Sequence, residues 1–136
     1  MDSELCWFLL YTKPRAECWA DVNLRRQGYA TLLPLVRRRR GFGPLFPRYL
    51  FAGYGPGQRP DPIRSTRGVL YVVHCGEHPA RVPADILSGL RARMDEFGVV
   101  SLADAPATDP LYAARERERV RALVKLARAG FRVVAA

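Results

Sequence analysis

Residues 37–51, RRRRGFGPLFPRYLF, run four consecutive arginines into a strand-like stretch that is apolar on both faces. With the period of two that a strand imposes, Tyr49 and Phe51 point one way while Leu50 and Ala52 point the other. A strand like this belongs in the middle of a sheet, with cover on both sides. Residues 6–11, CWFLLY, make the same demand: Trp7, Leu9 and Tyr11 alternate with Phe8 and Leu10, so neither side is polar. A chain with two such strands needs a layered fold. The face of Tyr49 and Phe51 can be closed by the chain's own helices or left as a binding surface for another protein.

The remaining elements follow from turn and cap signals. Pro14 precedes RAECWADVNLRRQ, where Ala16, Trp19, Ala20 and Leu24 form one stripe before Gly28, which predicts a first helix. YATLLPLV (29–36) reads as a strand that Pro34 pushes to an edge or a bulge. The arginine run and GFG make a hairpin tip, and FPRYLFAGY returns as the next strand. GPGQRPDP is a loop, with Asp61-Pro62 capping a short helix that Gly68 ends. VLYVVHC (69–75) is a strand, and Pro83 opens a helix with Ile86, Leu87, Leu90 and Met94 at helical spacing, ending near Gly98. The order is β-α-β-β-α-β-α. It predicts an α+β domain with a mostly antiparallel sheet over residues 1–98. Residues 99–109 read as a linker and 110–130 as a basic helix, with Asp109 as cap, Pro110 first in the helix and Gly130 as stop. Val120, Leu123, Val124 and Ala127 form its narrow stripe, with Phe131 beyond, and 131–136 are a tail.

Charge narrows the partners. Twenty-two Lys or Arg against 13 Asp or Glu give a formal charge of +9, which favours an anionic partner, nucleic acid first. No apolar run approaches the ~18–20 residues of a membrane span, and the N-terminus lacks the basic region of a signal peptide, so a cytoplasmic protein is expected. Cys6, Cys18 and Cys75 lack CxxC spacing and read as small buried thiols. HCGEH (74–78) matches the H-x-x-E-H pattern of one zinc-hydrolase class, but Gly76 between the histidines and Pro79 after them exclude the helix that pattern needs. It reads as a polar turn. With no phosphate-binding glycine loop either, the chain is not expected to be an enzyme, nor to need a metal or cofactor. In NLRRQ, Asn23, Arg26 and Gln27 fall at i, i+3 and i+4, so one helical face carries three groups able to bond bases or phosphates.

From Trp7 to about Leu90 the chain resembles the N-terminal (NGN) domain of the NusG family of transcription elongation factors, and within it the RfaH-like branch. WFLLYTK, NLRRQGY, PLFPRYLF, STRGVLYVV and PARVPADIL carry the resemblance, in order and in spacing. It implies an α/β sandwich that sits on bacterial RNA polymerase, grips the clamp helices of the largest subunit and suppresses pausing or termination. At matching positions the clamp contacts are Tyr11, Phe46, Pro47, Tyr49, Phe51, Leu87 and Leu90. RfaH-like members also touch the exposed non-template DNA strand, which implies roles for Lys13, Asn23, Arg26, Gln27, Thr66 and Arg67. Arg37, Arg38, Arg39 and Arg40 occupy a variable hairpin of the family; their assignment to upstream DNA comes from charge alone.

Two features depart from the family. RPDPIR stands where relatives use a His-Thr-Thr stretch on the polymerase's other pincer, and nothing in 99–136 alternates like the five-stranded KOW barrel, so contact with Rho or the ribosome is not expected. The terminal helix has two readings. It masks the clamp-binding patch, as helices of the RfaH C-terminal domain do, or it hangs free as a basic helix that adds DNA affinity. A stand-alone nucleic-acid-binding domain without polymerase contact is the competing function.

Overall fold

The computed structural model describes residues 4–131. Its centre is a four-stranded antiparallel sheet made of β1 (Cys6–Thr12), β2 (Ala30–Leu32), β5 (Tyr49–Tyr54) and β6 (Val69–Val72), in the order β2-β5-β1-β6. The two strands that are apolar on both sides are the middle pair, with Leu9 opposite Phe51 and Leu10 opposite Leu50. Trp7 faces Gly53 across this pair, and a Cβ at Gly53 would lie 2.8 Å from the indole ring, so only glycine leaves room for the tryptophan. The four-stranded antiparallel sheet, flanked by helices and followed by a further helix, is the expected α+β architecture.

Each face of the sheet has its own core. On one side Leu10, Leu50, Ala52 and Val69 pack with Ala20 and Leu24 of α1 (Glu17–Arg26), with Tyr29, and with Ile63 of α2 (Asp61–Arg64). At Gly68 (φ +98°) a Cβ would stand 3.0 Å from the Ala20 backbone nitrogen, which fixes how closely the chain passes α1. On the other side Trp7, Leu9 and Phe51 share a larger cluster with Leu87 and Leu90 of α3 (Ala84–Arg93) and with Leu111, Tyr112, Leu123, Ala127 and Phe131. Leu123 and Ala127 belong to α4 (Glu116–Arg128), an amphipathic helix whose buried stripe runs along this face.

Several boundaries differ from the sequence reading. The strand expected over 29–36 breaks at Leu33-Pro34. Its second half, β3 (Leu35–Arg37), leaves the main sheet to form a three-stranded sheet with β4 (Phe42–Pro44) and, in parallel, β9 (Val99–Val100). Proline supplies no N–H to continue the ladder, while its carbonyl accepts from Leu45 N at 2.8 Å. β9 lies inside the segment read as a linker. The helix read from Pro110 is a 3-10 turn, Pro110–Tyr112, capped by Asp109, whose carboxylate accepts from Leu111 N at 3.0 Å. The chain then extends through Ala113, and α4 begins at Glu116.

On α1, Trp19 is half exposed while Glu17 is buried in its place. Cys18 is exposed and Cys6 and Cys75 are half-buried, so the expectation of buried thiols fails. The turn at HCGEH is a two-stranded hairpin, β7 (His74–Cys75) with β8 (His78–Pro79). The tail beyond Phe131 lies outside the described residues.

Candidate functional site

The residues assigned to the polymerase, apart from Pro47, belong to or pack against the larger core. Phe46, Phe51, Leu87 and Leu90 are each at most 1% exposed, because α3, the 110–112 turn and α4 close over them. Phe46 meets Phe51 edge-on at 6.4 Å. Tyr11, Pro47 and Tyr49 keep part of their surface in solvent. Tyr11 sits between Tyr49 and Tyr71, at ring-centroid distances of 5.1 and 4.9 Å, forming a row of three phenols at the rim of the covered region. Burial pushes the Tyr49 phenol above its ordinary range. The neighbouring Tyr71 and Tyr11 add to this, and Arg128 and Arg48 oppose it.

Arg48 organises this rim. Its backbone is left-handed (φ +73°), its N–H donates to Glu17 Oε2 at 2.8 Å, and its Nε donates to the Thr12 carbonyl at 3.1 Å. The guanidinium then lies 4.2 Å above the Tyr11 ring, a cation–π contact. The buried carboxylate of Glu17 thus holds a strained turn that aims Pro47 and Tyr49. Neither Glu17 nor Arg48 stood out in the sequence. The one available signal was that Glu17 replaces Trp19 on the buried side of α1.

α4 is anchored by a buried arginine. Arg119 is 3% exposed; its Nε donates to the Leu45 carbonyl at 3.1 Å, and its Nη1 to the carbonyls of Ala113 and Ala114 at 2.9 and 3.0 Å. Burial lowers its proton affinity, the charge of Glu116 partly compensates, and Arg38 works against it. Three backbone acceptors make this burial tolerable. At the helix's first turn Glu116 pairs with Arg38 Nη2 at 2.7 Å. Near its far end, Gly130 approaches Cys75 of β7. α4 therefore runs from the arginine hairpin across the face to the β7 edge.

The residues assigned to DNA divide into two groups. Lys13, Asn23, Gln27, Thr66 and Arg67 come together where α1 meets the loop after α2, on the opposite side of the sheet. Gln27 Nε2 donates to Thr66 Oγ1 at 2.8 Å and to the Asn23 carbonyl at 3.1 Å. Asn23 Nδ2 donates to the Arg67 carbonyl at 3.3 Å, and Lys13 N to the Gly68 carbonyl at 2.9 Å. Thr66 is buried and serves as a strut, whereas Lys13, Arg26 and Arg67 are exposed cations around it. With its amide protons committed, Gln27 offers Oε1 as an acceptor to a base edge, and the cations suit phosphates. Arg37–Arg40 are not part of this cluster. They form the end of β3 and the β3–β4 turn, where Arg38 N donates to the Gly41 carbonyl at 2.9 Å and the Arg37 guanidinium lies 5.5 Å from the Phe42 ring centre.

The family model for NusG, described as transcription termination factor nusG, matches residues 5–91, more than half of the chain. The chain belongs to the NusG family. That membership gives it a role in transcription within a family of non-enzymatic factors whose N-terminal domain contacts RNA polymerase. The matched NusG region contains β1 to β8, α1, α2 and most of α3; β9, the 110–112 turn and α4 follow it. Among the described residues no helix is long and apolar enough to cross a membrane, and no cluster of His, Cys, Asp and Glu is arranged to hold a metal ion.

Proposed function

We propose that this chain is a transcription elongation or antitermination factor of the RfaH-like kind. It binds the clamp helices of bacterial RNA polymerase through Tyr11, Phe46, Pro47, Tyr49, Phe51, Leu87 and Leu90. Lys13, Asn23, Arg26, Gln27 and Arg67 engage the non-template strand with the buried Thr66 bracing Gln27 beneath them, and the arginine hairpin engages upstream DNA. The observation that carries the reading is the relation between these groups. Within a NusG-family domain, all of the first set but Pro47 belong to or pack against one apolar cluster, and the second, apart from the hairpin and the exposed Arg26, is tied into one polar cluster on the opposite side of the sheet.

On this reading the closed state holds α4 over the clamp-binding surface, and polymerase competes with α4 for it. Undocking α4 with Leu123→Asp and Ala127→Asp, two fully buried positions, raises affinity for core RNA polymerase, measured by co-sedimentation, over that of the unaltered chain. The gain disappears with polymerase lacking the clamp-helix tip. A variant that binds no better refutes the masking role. If neither protein binds, the reading gives way to a stand-alone nucleic-acid-binding domain, which the burial of Phe46, Phe51, Leu87 and Leu90 favours.

A further inference from the structure

The outward side of α4 has no role in covering the sheet, and its composition is specific. Arg117, Arg121, Lys125 and Arg128 are all exposed. At 100° per residue they fall within an arc of about 80°, and successive members at i and i+4 stand about 6 Å apart along the axis. Among the described residues none of the four has an ion-pair partner. The only carboxylates on the helix are Glu116, which is paired with Arg38, and the exposed Glu118 at the margin of the arc. Val124 is the one apolar side chain among the cations, in a shallow depression it shares with Arg121, Lys125, Arg128 and Ala129.

The Arg38–Glu116 pair adds charge at one end of this ridge. It brings the β3–β4 turn, with exposed Arg39 and Arg40, against the first turn of α4, near the Arg117 end of the ridge. We propose that the docked α4 and the arginine hairpin together form a second nucleic-acid-binding surface, directed at the sugar–phosphate backbone and located across the sheet from the Asn23–Gln27–Thr66 cluster. The inference rests on reading the chain as a nucleic-acid-binding protein, and it gives α4 a function while it is closed.

Charge and shape select this occupant over the others. A membrane-bound helix inserts its apolar face, and the apolar face of α4 is already buried in the core. A protein interface draws its affinity from aromatic and aliphatic anchors in pockets, and the ridge has none besides Val124. A linear array of arginines without apolar anchors suits a regularly charged polymer, recognised through backbone rather than sequence.

The test uses the whole chain and fluorescence anisotropy with a 24-base-pair duplex and a 24-nucleotide single strand, each at several salt concentrations. The variant carries Arg117→Gln, Arg121→Gln, Lys125→Gln and Arg128→Gln, exposed changes to a good helix former whose folding is checked by circular dichroism. The dependence of log affinity on log salt is expected to become shallower by about 3 to 4 on the duplex, at about 0.9 per lost phosphate contact, or by somewhat less on the single strand. Whichever probe shows the larger change is the form the ridge binds. An unchanged slope on both probes overturns the inference. If Arg26→Gln with Arg67→Gln abolishes binding in that case, the reading under Proposed function stands without it. An unaltered chain that binds neither probe overturns both this inference and the DNA half of that reading, while its polymerase half is judged by co-sedimentation. Loss of poly-glutamate binding with duplex binding retained overturns it in favour of an acidic protein.

Discussion

The two faces of the sheet are covered in different ways. Over the first, α1 and α2 come from within the family-matched region, and Gly68 passes within contact of α1 on a tight backbone path. Over the second, the outer cover is α4, which follows that region and is attached through side chains: Leu123, Ala127 and Phe131 in the core, Arg119 on the Leu45 carbonyl, Glu116 on Arg38. A cover built into the fold can leave only if the domain unfolds. One held by side chains at the end of a tether can leave by itself. Equal burial therefore does not mean equal permanence.

That contrast is most exposed to a matched pair of cavities. Leu24→Ala and Leu123→Ala each empty a fully buried site and each cost about 2–5 kcal/mol. Leu24→Ala is expected to lower the melting temperature of the whole domain. Leu123→Ala should instead speed hydrogen exchange over 116–128 and leave the β1 and β5 amides protected. Uniform loss of protection in both variants would make α4 as integral as α1.

Arg119→Ala comes next. It strands the carbonyls of Leu45, Ala113 and Ala114, with an expected cost of about 1–3 kcal/mol, again confined to α4 by exchange. A smaller effect comes at alkaline pH. Burial raises Tyr49 and Tyr112 above the ordinary tyrosine value of 10.0. The folded state then holds protons that the unfolded state has released, so stability is intact below pH 10 and falls as pH rises through the folded values. A pH series of thermal melts checks this, and Tyr112→Phe should flatten the decline. Smallest is Arg38→Ala. Its pair with Glu116 is about half exposed at both ends, and its loss is worth about 0.2–1 kcal/mol in denaturant titration, less in high salt.

How much of this was legible depended on the kind of signal. β1 and β5 could be read because apolar residues on both sides of a strand have few alternatives, and α3 because its apolar residues keep helical spacing. The split of the 29–36 strand was marked by Pro34, but the sequence could not say that the second half would join another sheet. β9 has only two residues, too few to show a period, and it exists because β3 offers a partner. Trp19 drew the stripe of α1 the wrong way, since its size outweighed the turn at Arg48 that needs Glu17 buried. The polar cluster was half visible as one face of NLRRQ; its other half lies some forty residues away and came from the resemblance. Least legible was Arg119. In a run of alternating arginines and glutamates, one buried cation looks like its solvated neighbours, so the segment that closes the apolar face reads as a charged surface.

The parallel pairing of β9 with β3 fixes the near end of the tether to α4. Because Val99 and Val100 are held against Leu35 and Val36, only residues 101–115 separate a fixed point on the domain from the helix. A released chain of that length explores roughly 20 Å, which keeps a detached α4 at an effective concentration on the order of millimolar. Docking is then a first-order event, insensitive to dilution. A free partner at micromolar concentration meets an intramolecular competitor present in large excess, so it wins the face only by binding it correspondingly more tightly.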